Sequence, residues 1–241
     1  MEELKRLELL VGADGISRLW QSHVAVFGIG GVGSFAAEVL ARSGIGTISL
    51  FDDDVVSITN INRQLIALHS TIGMKKVDVM ASRIQDINPS ITVHPHSLFY
   101  LPETDLDFSC FDFVIDAIDT VSSKLALIEQ CQRYQVPVIS SMGTGNKMDA
   151  SLLKIADISE TSVCPLARVM RKELRSRGIL HGKVLFSTEP TIAPINDAPE
   201  ADCAHPKRQT PGSTAFVPPI AGMMIAGEAI RTLLSGKENS K

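Results

Sequence analysis

The chain has 241 residues, 44% of them hydrophobic, enough for one sizeable core and too few for two independent domains of ordinary size. Its 23 basic and 27 acidic side chains leave a net charge of -4, which excludes a global field drawing the protein to nucleic acid or anionic membrane; an RNA partner has to be met by a local patch. Four scattered cysteines, Cys110, Cys131, Cys164 and Cys203, form no Cys-x-x-Cys pair, which excludes zinc held by such pairs and a disulfide frame, and fits a reducing cytoplasm.

The first ten residues, "MEELKRLELL", are charged from the second position and lack the long apolar core of a secretory signal. "VAVFG" at 24–28 is a buried strand, and "GIGGVG" places Gly28, Gly30, Gly31 and Gly33 between it and a helix over 33–43. A turn without side chains lets backbone N–H groups approach a phosphate at the positive end of a helix dipole. A second strand, "TISLFD" at 47–52, ends in Asp52, 19 residues after Gly33, where a carboxylate accepts hydrogen bonds from ribose hydroxyls. Together these predict a nucleotide site. Glycines serving only tight strand-to-helix packing are the plainer alternative.

The next stretch, "TNINRQ" at 59–64, sets Arg63 among the amides Asn60, Asn62 and Gln64. Lys76 opens a helix over 75–88 that Pro89 stops. Strands follow at 91–96 and 113–118, the latter, "FVIDAI", delivering Asp116 and then Asp119 at the C-terminal end of a parallel strand, where open α/β sheets bind ligands. A dinucleotide cofactor keeps its pyrophosphate intact and needs no cluster of cations. Attack on the α-phosphate of ATP does need positioned Arg, Lys and magnesium, because charge on the phosphoryl oxygens and the leaving pyrophosphate must be stabilised. Each residue also has a dull reading: Lys76 solvated, Arg63 capping a helix or pairing with Asp53 or Asp54, Asp119 an N-cap.

After the strand at 136–141 the rhythm changes. "KMDASLLKIADIS" and "KVLFSTE" read as further strands, so the fold class is α/β: a Rossmann-like parallel sheet with helices on both faces, extended by antiparallel strands in the C-terminal part. Between them "VCPLARVMRKELRSRG" puts Leu166, Met170 and Leu174 on one helical face and Arg168, Arg171, Lys172 and Arg175 on the other, a cationic stripe suited to RNA phosphates or to plain solvation. The segment 187–213 holds five prolines and no regular period, and is predicted to cover the site, with Lys207, Arg208 and Thr210 as contacts and Lys207 and Arg208 also extending the RNA-facing cationic surface. The least charged stretch, 209–227, contains three prolines and precedes Glu228 and Arg231, which argues for a buried helix rather than a membrane span. The six histidines form no metal set, and His94 and His96 read as a surface face.

"GIGGVG", "LFDDD", "TNINRQ", "GMKK" and "IDAID", in this order, resemble the motifs of the ubiquitin-activating-enzyme-like superfamily, whose members adenylate a carboxylate with MgATP. The resemblance implies that Gly31, Asp52, Arg63, Lys76 and Asp119 are nucleotide and magnesium residues, that Asp54 is a second acid, and that Arg6 reaches the ATP of a neighbouring subunit in a homodimer. It makes residues 1–241 one adenylation domain, with a nucleotide-binding core over 1–145 and an extension over 146–241. "FSTE", "DCA" and "PGSTAFVPPIAGMMIAG" further resemble the tRNA threonylcarbamoyladenosine dehydratase subfamily, which implies ATP-dependent ring closure of the modified adenosine beside the anticodon, in the cytoplasm, with the segment 187–213 helping to position the modified base and with room for a sulfur-transfer partner protein. Three rivals remain: activation of a ubiquitin-like sulfur carrier, with Cys164 or Cys203 as nucleophile, an NAD-dependent oxidoreductase, and a non-catalytic nucleotide-binding scaffold.

Overall fold

The computed structural model describes residues 2–193, 195 and 211–236. Seven strands form a single sheet: β1 (His23–Phe27), β2 (Thr47–Phe51), β3 (Thr92–His96), β4 (Phe113–Asp116), β5 (Val138–Ser141), β6 (Leu153–Asp157) and β7 (Lys183–Ser187), ordered β3-β2-β1-β4-β5-β7-β6. The central strands are apolar almost without interruption because both faces are covered. In β1, Val24 and Val26 join one core while Ala25 and Phe27 join the other, the two-residue alternation of a pleated strand.

The first face packs against α1 (Lys5–Gln21), α2 (Gly33–Arg42), α3 (Lys76–Ile87) and α6 (Val217–Ser235) through Leu19, Leu40, Met80, Ala221 and Ile225. The second packs against α4 (Val121–Arg133) through Leu127 and Cys131, with α5 (Pro165–Ser176) further along through Met170 and Leu174. Helix α6 is long and apolar enough to cross a membrane, yet half of it is buried, with Ala221, Ile225, Ala226 and Ala229 sealed in the main core. It is a core helix.

Three expectations change in detail. The antiparallel extension is one edge strand, β6: β7 pairs parallel with β5 and antiparallel with β6, so the parallel run continues into the C-terminal part. Ser187 is not loop but the buried end of β7, opposite Leu153, so the long connection begins later. The apolar helix starts at Val217, with prolines at its first positions, where the missing N–H costs nothing. Lys207, Arg208, Thr210 and Cys203 lie outside the described residues.

Strand order reverses between β1 and β4. From β1 the chain moves outward to β2 and β3, then returns to place β4 on the other side. In open α/β sheets such a switch point opens a crevice beyond the carboxyl ends of the two strands.

Candidate nucleotide site

The glycine turn leaves β1 at this crevice. Gly28 has φ +87, and a Cβ there would lie 2.7 Å from the carbonyl oxygen of Ala117 in the loop after β4. A Cβ at Gly33 would lie 1.7 Å from the Gly28 carbonyl oxygen, which fixes glycine at the first residue of α2. Gly30 differs: a Cβ there would meet only Gln64 Nε2, at 3.8 Å. Beside Gly31 lie Arg63 and Pro218, so the turn of residues 59–64 and the start of α6 form its walls.

The acidic strand end braces this turn. Asp52 accepts from the Ile29 N–H at 2.6 Å and from the Asp54 N–H at 2.9 Å, leaving lone pairs for a further donor. Burial pushes its carboxyl above the usual range, against the pull of Lys76 and the two backbone N–H groups. A bridge between Val55 and Lys75 folds the following segment back, so the Lys76 N–H meets the Asp54 carbonyl at 3.1 Å. The Lys76 ammonium, only 5% exposed as a residue, then sits 2.5 Å from Asp54 Oδ2 and 3.9 Å from Asp52 Oδ1. It is not a solvated helix lysine.

"TNINRQ" is a capped turn. Ser57 and Asn60 form a capping box around the short helix Ile58–Asn60, and the Asn60 carbonyl accepts from the Arg63 and Gln64 N–H groups at 3.0 and 2.9 Å. Asn60 Oδ1 is thereby spent on the Ser57 N–H, at 3.0 Å. Arg63 donates through Nη1 to the Thr59 carbonyl at 2.8 Å and to Asn62 Oδ1 at 3.0 Å, and makes no ion pair with Asp53 or Asp54. Ser34 ties the turn to the glycines, donating to the Gly30 carbonyl at 2.6 Å and accepting from the Leu65 N–H at 3.3 Å. Gln64 is buried beside Gly30, and its Oε1 has no hydrogen-bond partner among the described residues. It is the Gln64 Nε2 that faces the open glycine cradle, 3.8 Å from where a Gly30 Cβ would stand, and an amide N–H there is a donor suited to a phosphate oxygen.

Asp119 is exposed, bonded among the described residues only by the Thr120 hydroxyl at 3.3 Å, and Thr120, not Asp119, precedes α4 as its cap residue. A hard carboxylate held out at the crevice fits a magnesium ion. Asp116 is placed differently, fully buried and ion-paired with Lys124 at 2.9 Å. The triplet Asp52, Asp53 and Asp54 also brings its oxygens close together, but two of the three are already engaged with Lys76.

Other expected residues are not gathered here. Arg6 is exposed on α1, with no hydrogen bond or ion pair among the described residues. Arg168, Lys172 and Arg175 are exposed along α5, as the helical spacing predicts. Arg171 is a correction. It is half-buried, donating to the Thr161 carbonyl at 2.7 Å and to Thr161 Oγ1 at 2.6 Å, so it pins the segment before α5 instead of facing solvent. Cys164 is buried against the α5 core, and burial pushes the Cys131 thiol far up; neither is an accessible nucleophile.

Some residues escaped sequence reasoning. Lys124 is one; a lysine three and four residues before the buried Leu127 and Ile128, on the apolar face of α4, was the available signal. Lys147 and Glu189 are others. Lys147 is buried and donates to the Glu189 carbonyl, while the Glu189 carboxylate accepts from the Met148 and Asp149 N–H groups at 2.9 and 3.1 Å. Asn146, at φ +57, bonds the Ile192 N–H at 3.1 Å and the Gly212 carbonyl at 2.7 Å, joining both stems of the long connection. Asn62 adds a bond to the Ser213 carbonyl at 3.1 Å.

A glycine turn at a switch point, walled by a lysine, an arginine and carboxylates, defines a Rossmann-like nucleotide-binding protein built for phosphoryl chemistry. The chain belongs to the ThiF family, whose model matches residues 4–241. It is 46% identical to the tRNA threonylcarbamoyladenosine dehydratase of Bacillus subtilis (strain 168), over 99% of this chain and 97% of the relative. Among solved structures it is similar to the Escherichia coli tRNA N6-threonylcarbamoyladenosine dehydratase in complex with AMP, at TM-score 0.88 and 33% identity, covering 99% of this chain and 96% of that one. The ATP complex of the same protein superposes with TM-score 0.86 at 32% identity, covering 100% of this chain and 97% of the other.

Proposed function

We propose that this chain is a cytoplasmic, ATP-dependent tRNA threonylcarbamoyladenosine dehydratase. The observation that supports the reading is the Gly28–Gly33 turn at the switch point, with Lys76 beside Asp52, Arg63 beside Gly31, and Asp119 two residues beyond Ala117, whose carbonyl abuts Gly28. The relatives over nearly the whole chain support the substrate class, since they bear that activity in their names and one is found with AMP and with ATP.

In this reading the backbone around Gly28, Gly30, Gly31 and Gly33 receives the phosphates, Asp52 the ribose, and Asn60 holds the turn that presents Arg63. Lys76 and Arg63 stabilise charge at the α-phosphate, with Asp54 keeping Lys76 aimed before ATP arrives. Asp119 would hold magnesium, which would supply positive charge against the phosphate oxygens. The threonyl carboxylate oxygen forms a bond to the α-phosphorus as the bond to pyrophosphate breaks. A carbamoyl heteroatom of the same side chain then forms a bond to the activated carbonyl carbon and releases its proton to solvent. The carbon–oxygen bond to AMP breaks, and AMP leaves with the carboxylate oxygen. The nucleoside loses one water overall, and proximity within one side chain makes a covalent enzyme intermediate unnecessary.

The buried Cys131 and Cys164 favour this route over a cysteine-dependent sulfur-carrier pathway. Arg168, Lys172 and Arg175 are assigned to tRNA phosphates. The functional unit is a homodimer in which Arg6 serves the neighbouring ATP; beside Arg6, Leu9 and Leu10 are 87% and 83% exposed, an apolar surface suited to a second copy. Incubation with MgATP and tRNA bearing threonylcarbamoyladenosine, followed by nucleoside mass analysis, tests the proposal. A mass lower by one water, lost on Arg63→Ala, is expected; an unchanged nucleoside with purified dimer contradicts it.

A further inference from the structure

Lys124 and Asp116 form the most enclosed ion pair in the described protein, both side chains 0% exposed, and the reaction as proposed uses neither. Burying two charges is costly unless their hydrogen bonds are well spent, so the partners this pair chooses are informative. Lys124 Nζ lies 2.9 Å from Asp116 Oδ2 and donates at 2.9 Å to the Ile118 carbonyl. Asp116 Oδ1 accepts from the Ile118 N–H at 3.1 Å, and Asp116 Oδ2 also accepts from the Ser140 hydroxyl of β5. Both polar groups of Ile118's backbone are thus gripped by the one pair.

The Ile118 carbonyl belongs to the peptide that leads into Asp119. Fixing its direction fixes the plane from which the Asp119 Cα departs. The preceding residue is held as well, by the Ala117 N–H on the Phe27 carbonyl at 2.8 Å. Beyond Ile118 the clamp ends: Asp119 is exposed, and its carboxylate's one hydrogen bond among the described residues comes from the Thr120 hydroxyl.

We propose that Lys124, acting with Asp116, is a positioning residue that aims the Asp119 carboxylate at the magnesium–nucleotide complex. This deepens the adenylation reading and rests on it. A simple packing charge would have no reason to bind both ends of one loop residue, whereas a carboxylate that must meet a metal needs a backbone that does not swing. Misplacement by about 1 Å at a reacting centre costs on the order of 100-fold in rate.

The test pairs Lys124→Met with Asp119→Ala in a double-mutant cycle. Two quantities are read on each folded, melt-checked homodimer: ATP affinity by calorimetry with and without magnesium, and turnover of modified tRNA. Lys124→Met is expected to lower kcat by roughly 10- to 100-fold and to erase most of the magnesium-dependent gain in ATP affinity, while metal-free affinity stays within about twofold. On the Asp119→Ala background it should cost no more than about a further twofold, because residues acting through one group are not additive. If the orphaned Asp116 carboxylate prevents folding, Asp116→Asn/Lys124→Met, which orphans no charge, carries the same cycle. An additive loss on the Asp119→Ala background, or a Lys124→Met protein with wild-type magnesium dependence beside a disabled Asp119→Ala, overturns the positioning role and leaves the adenylation reading standing. An Asp119→Ala protein with normal turnover and magnesium response overturns both.

Discussion

The Lys76 ammonium rests 2.5 Å from the Asp54 carboxylate and 3.9 Å from that of Asp52, buried between two acids at the mouth of the glycine turn. A triphosphate that enters this crevice meets a cation already stripped of most of its water, which strengthens the attraction. Lys76→Met is therefore expected to lower the rate of ATP–pyrophosphate exchange by about 100- to 1,000-fold, the usual cost of losing one aimed donor. Asp54→Ala, which frees Lys76 without removing it, should cost far less. Exchange assays on the two proteins side by side check this; equal losses would make the ion pair, not the ammonium, the essential feature.

The glycine turn separates folding from binding. At Gly33 a methyl group would collide with the Gly28 backbone, so Gly33→Ala is expected to give insoluble protein or one with a strongly lowered Tm. At Gly30 the methyl finds ordinary contact with Gln64 and open space, so Gly30→Ala should keep Tm within about 2 °C of the parent. It should still lose ATP binding, because the methyl fills the cradle. Thermal melts and nucleotide titrations on the pair distinguish the two roles.

Arg63 owes its direction to the Thr59 carbonyl and Asn62. Asn62→Ala is expected to lower kcat by about tenfold, a smaller loss than that of Arg63→Ala, and to leave KM for ATP nearly unchanged. Steady-state kinetics decide it. A rise in KM alone would mean that Arg63 serves ground-state binding.

A mild-acid instability follows from His23. Burial and then His94 pull its ring below the usual 6.5, against the Cys110 backbone bond and Asp112, while His96 pulls the same way as His94. The unfolded chain therefore takes up a proton before the folded one does. The neutral ring's stabilisation is full above pH 6.5 and is lost as pH falls through the lower folded value. His23→Gln should flatten the fall of Tm below pH 6.5, leaving the part due to His96, which is lowered by the same causes in kind. Melts at stepped pH on both proteins measure the difference.

Much of this was legible beforehand, for identifiable reasons. Strands buried on both faces leave apolar runs such as "VAVFG", and a turn that must admit phosphate leaves glycines, so the sheet and the cradle are written locally. Arg63 and Lys76 stand out because their surroundings in the chain also carry the turn that presents them. Pairings between distant segments leave no such trace. Whether β7 runs parallel to β5 depends on where the chain returns, and the Lys124–Asp116 pair depends on α4 docking over the end of β4. Arg171 was misplaced because helical spacing assigns it to the outer face, while Thr161 curls up beside it to take its guanidinium.

The central claim is that the substrate's carboxylate oxygen becomes bonded to the α-phosphorus of ATP. Modified tRNA carrying oxygen-18 in the threonyl carboxylate, incubated with the enzyme and MgATP, tests it at the atom concerned. One labelled oxygen in the AMP released, in step with a nucleoside lighter by one labelled water, is the predicted result. Unlabelled AMP, or label appearing in inorganic phosphate with ADP as co-product, would contradict it.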